Sequence, residues 1–205
     1  LTMSISYAVI PASHKNLGYD PIRDFTPVAV LVNGPNILVV HPSLPVNSVR
    51  DLIALAKARP GQLTYASSGN GGAANLALEA FKLATGTDIV HVPYKGTAPG
   101  VVDLIAGRIS LTSAAIVSAL EHVKRGKLRA LATVGAKRAN AAPDLPTVSE
   151  AGVPGYAVDV WYAMFAPAAV ARPVLAQLNG EVIKILYAPE MKARLASIGL
   201  EPAAE

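Results

Sequence analysis

The sequence predicts an α/β fold, a mostly parallel sheet with helices on both faces. Three observations carry this. Short apolar runs of strand length alternate with stretches of helical period, single loops join each to the next, and Gly, Pro and capping residues sit at the joins. Residues 36–40 read as a buried strand ended by His41 and Pro42. Ser48 has the character of an N-cap, with Asp51 three positions on, and Val49, Leu52, Ile53 and Ala56 share one face of a helix that stops near Pro60 and Gly61. The strand predicted at 63–66 runs into the loop Ser67, Ser68, Gly69, Asn70, Gly71, Gly72. Residues 73–85 are then helical, with Leu76, Ala77, Ala80, Phe81 and Ala84 at helical spacing and Gly86 as the stop. A strand at 89–92 ends at Pro93, and Thr97 is expected to cap a helix carrying Pro99 in its first turn. Strands at 109–111 and 128–134 flank a helix at 117–124. A Pro-, Ala- and Gly-rich connector at 139–155 holds one short helix at 148–151. A β-like run at 158–166 and helices at 173–186 and 189–197 follow, with no closing strand.

Composition narrows the function classes. Of the 205 residues 52% are apolar and 16% charged, enough apolar surface to offset the entropy of ordering a globular chain. No apolar run is long enough to cross a bilayer. The net charge of +4 comes from scattered Lys and Arg, and aromatics make up only 5%, which argues against nucleic acid and suits attraction of a small anion. There is no cysteine, which removes disulfides, thiolate catalysis and cysteine metal sites. Residues 1–6 have neither a basic n-region nor an apolar h-region and are not a signal peptide; an exported protein would have lost that peptide already.

Two strand-to-helix loops are chemically suggestive, because ligands of parallel sheets sit beyond the carboxyl ends of the strands. The first is residues 67–72. Its glycines let backbone N–H groups point inward, the following helix start favours an anion, and Ser67, Ser68 and Asn70 add side-chain donors. A plain Gly-rich tight turn has the same residue types. No Lys-Ser or Lys-Thr follows the glycines and no Gly-x-Gly-x-x-Gly spacing occurs, so neither a nucleotide phosphate nor a dinucleotide is expected. The second loop carries Tyr94 and Lys95, a ring or hydroxyl and a charge for a carboxylate, or else a ring packed on the helix and a solvated amine. Trp161 and Tyr162 are either walls of a cleft or core aromatics. His14, His41, His91 and His122 have no metal-ligand spacing, His91 reads as a strand residue, and no serine stands on a nucleophile elbow. No enzyme, metal or cofactor is expected.

The segments YASSGNG (65–71), HVPYKG (91–96), GKLRALA (126–132) and PDLPTVSEAG (143–152), with Pro154, Gly155 and Tyr156 behind the last and Tyr19, Asp20 and Pro21 near the start, resemble the Bug-type receptors. These are the periplasmic solute-binding components of tripartite tricarboxylate transporters. The similarity runs in order along essentially the whole chain. It implies a two-lobed periplasmic-binding-protein fold of type II whose first lobe is incomplete here. Residues 1–38 are then a partial first lobe, 39–155 the second lobe with the ligand loop, and 156–205 a crossover strand and helices returning to the first lobe. It implies a periplasmic receptor that captures a small carboxylate, an organic acid or amino acid, and works with membrane transporter subunits. The ligand is held by Ser67, Ser68, Asn70, Gly71, Gly72 and Ala73, with Tyr94, Lys95, Trp161 and Tyr162 bordering the cleft.

Three departures from the family pattern set further expectations. The family's opening strand, carboxylate loop and helix are missing, as is its closing helix, and residues 1–6 read as a strand inside the first lobe. Gly72 and Asn75 stand where the family has a hydroxyl residue and often a histidine, which is expected to weaken or retune the grip. Ser113, Ala114 and Ala115 replace a more polar stretch, pointing to a less polar ligand body or a different pocket floor. The alternative function is a truncated relative acting as an interaction module, pairing as a homodimer through its exposed incomplete lobe.

Overall fold

The computed structural model describes residues 2–3, 7 and 17–203. In chain order its strands are β1 (Thr2–Met3), β2 (Phe25–Asn33), β3 (Asn36–Val40), β4 (Thr64–Ser67), β5 (Val90–Pro93), β6 (Leu111–Ala115), β7 (Arg129–Thr133), β8 (Trp161–Pro167) and β9 (Glu201–Pro202). Its helices are α1 (Val49–Ala58), α2 (Ala73–Thr85), α3 (Thr97–Ile105), α4 (Ile116–Lys124), α5 (Arg172–Tyr187) and α6 (Pro189–Ser197). They form two compact units, one of residues 1–34 with 160–205 and the other of Pro35–Asp159.

The continuous unit is built on a five-stranded sheet in the order β5-β4-β6-β3-β7. Strand β4 runs parallel to β5 and β6, while β3 runs antiparallel to both β6 and β7. All five residues of β3 are buried, as the apolar run at 37–40 requires for a strand covered on both faces. On one face Leu38, Tyr65 and Leu111 pack against Leu52, Ala77, Leu78 and Phe81 of α1 and α2. On the other, Ile37, Val39, Ala66 and Ala114 pack with Leu104 and Ala119 of α3 and α4. Helix α1 begins with the expected cap, in which the Ser48 hydroxyl accepts the Asp51 N–H at 3.1 Å and the Asp51 carboxylate accepts the Asn47 N–H at 3.0 Å. Helix α2 ends at Gly86 with φ 62°, a left-handed stop that favours glycine.

The discontinuous unit has a four-stranded antiparallel sheet in the order β1-β8-β2-β9. Helix α5 lies against β2, and the Asn179 side-chain amide donates to the Val28 carbonyl at 2.7 Å. Val32, Leu186 and Leu195 form its buried cluster, with Tyr162 and Leu200 packed against it.

Several expectations are corrected. The five-stranded sheet keeps four strands in one direction, with β3 alone inserted against them between β6 and β7, while the four-stranded sheet is antiparallel, β2 pairing with β8 over a long ladder. Strand β2 was not expected; Pro27 lies at an irregularity in its register, which hides the strand from an alternation pattern. The strand expected at 109–111 starts only at Leu111, as β6, because the Ile109 N–H turns back to the Asp103 carbonyl. Residue Thr97 does not cap α3. Gly96, at φ 109°, turns the chain one residue earlier, and no side chain caps the helix. Residues 148–151 make a single turn, with the Ala151 N–H on the Thr147 carbonyl, rather than a helix. A closing strand exists as β9, paired with β2. The boundaries expected at 38/39 and 155/156 compare with changeovers at 34/35 and 159/160, since β3 makes all its sheet bonds inside the continuous unit. Of the strand expected at 1–6, residues 2–3 form β1; the rest, like His14, lies outside the described residues.

Candidate functional site

The loop 67–72 leaves the carboxyl end of β4 and enters α2. Its shape follows from internal hydrogen bonds. The Ser67 hydroxyl is buried, lies 2.6 Å from His91 Nε2 and 3.0 Å from both the N–H and the carbonyl of Gly69. With the imidazole proton on Nε2, Ser67 Oγ accepts from Nε2–H and from the Gly69 N–H while donating to the Gly69 carbonyl, so all three contacts are met at once. Burial holds the His91 imidazole below its ordinary range.

A second set of bonds ties the loop to the core. Asn75 Oδ1 accepts the Gly71 N–H at 2.9 Å, reaching back to the residue before the N-cap Gly72, and its Nδ2 donates to the Tyr65 hydroxyl at 2.7 Å. Tyr65 in turn donates to Glu79 Oε1 at 2.6 Å, and Glu79 is paired with Lys82 at 2.8 Å. Burial is the main force raising the Tyr65 phenol, with Glu79 accepting its proton adding to it. The rings of Tyr65 and His91 stack with centroids 4.7 Å apart, because the parallel register sets these residues side by side on β4 and β5.

The loop's remaining polar groups are available to a ligand. The first hydrogen bond of α2 runs from the Leu76 N–H to the Gly72 carbonyl, which leaves the amides of Ala73, Ala74 and Asn75 outside the helix ladder. No side chain caps this end, and no acidic residue stands in the first turn. Ser68 and Asn70 are exposed on the loop. A Cβ at position 72 would stand 2.5 Å from the Ser68 hydroxyl oxygen, so that hydroxyl fills the place a side chain on residue 72 would take. Glycine at 72 therefore leaves room for the Ser68 hydroxyl beside the helix start.

Other expected donors are occupied. The Gly71 N–H is held by Asn75, the Gly72 N–H by the Gly69 carbonyl at 3.2 Å, and the Ser67 hydroxyl by His91 and Gly69. Tyr94 donates its hydroxyl to Asp103 at 2.6 Å, and its ring lies against Gly100 of α3. Arg108 and Tyr94 together hold the Asp103 carboxyl below the usual range. Lys95 is exposed. Trp161 and Tyr162 are half-buried on β8 in the other unit, where the Tyr162 ring reaches Gly34 and the cluster around Val32. The sequence reading missed His91 and Asp103 as partners of the loops. Only strand register brings His91 beside Ser67 and Tyr65, and no spacing along the chain signals it.

Comparison with known proteins identifies the lineage. The family described as "Tripartite tricarboxylate transporter family receptor" (TctC) matches residues 1–205. Protein BugT of Bordetella pertussis is 32% identical over 200 residues, which are 98% of this chain and 60% of BugT, so the chain spans about three fifths of that relative's length. Among solved structures, Rpa4515 of R. palustris with adipate superposes with a TM-score of 0.82 at 42% identity, covering 92% of this chain and 63% of that one. MatC (Rpa3494) from Rhodopseudomonas palustris with bound malate gives 0.82 at 28% identity, covering 97% and 68%. Among the described residues, no helix is long and apolar enough to cross a membrane. With the match running over its full length, the chain belongs to the tripartite tricarboxylate transporter receptor family.

Proposed function

We propose that this chain is the ligand-holding part of a periplasmic receptor that captures a small carboxylate and presents it to membrane transporter subunits. The observation that carries the reading is the start of α2. Three first-turn amides stand there without an acidic neighbour, behind a loop whose shape is set by Ser67, His91 and Asn75. A carboxylate oxygen placed there accepts N–H bonds and lies at the positive end of the helix dipole. The hydroxyl of Ser68 and the amide of Asn70 add donors, and Lys95 adds a positive charge on the loop that follows the neighbouring strand β5. Two family members hold adipate and malate, both dicarboxylates, which sets the ligand class to test first.

The test is thermal denaturation of the full chain against organic acids and amino acids, starting with adipate and malate. Binding to the native state alone raises the midpoint with ligand concentration, by about 2.7 kcal/mol of stability at a hundredfold excess over Kd. Midpoints that stay flat across the whole panel at millimolar ligand would refute the receptor reading.

A further inference from the structure

Among the described residues, two buried side-chain polar atoms have no hydrogen-bond partner, Ser113 Oγ and His122 Nδ1. Ser113 is 2% exposed and stands in the middle of the sheet. Its direction follows from register. Strand β6 pairs in parallel with β4, Tyr65 beside Leu111 and Ala66 beside Thr112. Thr112 and Ala114 face the α3 and α4 side, where Ala114 packs in the core and Ala66 beside it. Leu111 faces the opposite side with Tyr65 and with Ala77, Leu78 and Phe81 of α2. Because strand side chains alternate, Ser113 shares the face of Leu111 and so faces α2. It lies two residues nearer the carboxyl end of β6 than Leu111, as Ser67 lies two residues beyond Tyr65 on β4. Both strands run to the end of the sheet at which α2 begins, and Ala74 in the first turn of α2 is buried there. The Ser67 hydroxyl at this level is occupied by His91 and Gly69; the Ser113 hydroxyl is not.

A buried hydroxyl without a partner is costly, and alanine would fill the same space without that cost. We infer that Ser113 is an inner ligand-binding residue, whose hydroxyl donates to a carboxylate oxygen seated beneath the first turn of α2. Ser113 thereby supplies a donor from the sheet at the level where the Ser67 hydroxyl is already held by His91 and Gly69. This rests on the receptor reading above and adds a contact to it.

The substitution Ser113→Ala separates ligand contact from structure, because the two roles predict opposite signs. The unliganded variant should melt about 2–4 °C higher than wild type, since an unsatisfied hydroxyl has been removed. Adipate or malate, whichever wild type binds, should bind about 10- to 100-fold more weakly by calorimetry, the usual cost of losing a hydrogen bond to a charged group. Ser113→Thr, which keeps the hydroxyl, should retain more of the affinity than alanine. An alanine variant with wild-type affinity overturns the Ser113 assignment and leaves the receptor reading standing. An alanine variant that melts lower shows that the hydroxyl is bonded in the unliganded protein and also overturns it. A wild type that binds no acid in the panel overturns the receptor reading, and the Ser113 role with it.

Discussion

His91 is a half-buried imidazole that shapes a loop without belonging to it. Its Nε2 meets Ser67 Oγ at 2.6 Å, its ring stacks on Tyr65, and the nearby charges are Glu79 and Lys82. Burial lowers its pKa, Lys82 lowers it further, and Glu79 opposes both without reversing them. The sign is therefore set. A depressed folded-state value means that the unfolded chain takes the proton first. The stability from burying neutral His91 is complete above the ordinary value of 6.5 and is lost as pH falls through the folded-state value. Between pH 7 and 5, wild type is expected to lose more stability than His91→Gln, which keeps an N–H donor but does not titrate. Urea denaturation at several pH values measures this, and parallel curves for the two proteins would remove His91 as the cause.

At the scale of elements, the contact between β4 and α3 depends on a missing side chain. A Cβ on Gly100 would lie 2.9 Å from Ala66 Cβ and 3.3 Å from Tyr94 Cδ2. Ala66 has no rotamer by which to move away, so the clash falls on the backbones of the helix and strand. Gly100→Ala should gain about 1 kcal/mol from helix propensity and lose about 1–3 kcal/mol from overpacking. The expected net effect is a lower urea midpoint at unchanged slope. A raised midpoint would show that α3 can part from the sheet at no cost. The same contact holds Tyr94 against α3, with its hydroxyl on Asp103, which makes Tyr94 a brace for the second loop.

At the scale of the whole molecule, the two units differ in how the chain makes them. The unit Pro35–Asp159 is one continuous segment that carries a five-stranded sheet, helices α1 to α4 and two buried clusters. The other is assembled from two distant segments held by the β2–β8 ladder. A domain with its own core, made from one stretch of chain, has what it needs to fold alone. Residues 35–159 expressed alone are expected to unfold in one cooperative transition and to keep the near-ultraviolet signal of Tyr65 and Tyr156, both buried in its core. A broad melt without that signal would show that the core depends on the other segments.

Much of this protein was legible in the order of its residues. The run at 36–40, the Ser48 cap, the helix from 73 to 85 with its Gly86 stop, and the Gly-rich turn before it are local patterns, and their geometry depends on neighbours a few positions away. The family was legible too, because its motifs are contiguous. Strand direction was not, nor was β2, since pairing partners lie tens of residues apart and are chosen by which arrangement buries both faces. The site divides in the same way. Sequence alone located the loop at 67–72. Tertiary structure decided that Ser67, Gly71 and Gly72 spend their donors holding that loop in shape, because strand register puts His91 beside Ser67 and the helix turn puts Asn75 beneath Gly71. It also left Ser113, read from the sequence only as part of a less polar stretch, facing the start of α2 with its hydroxyl unpaired.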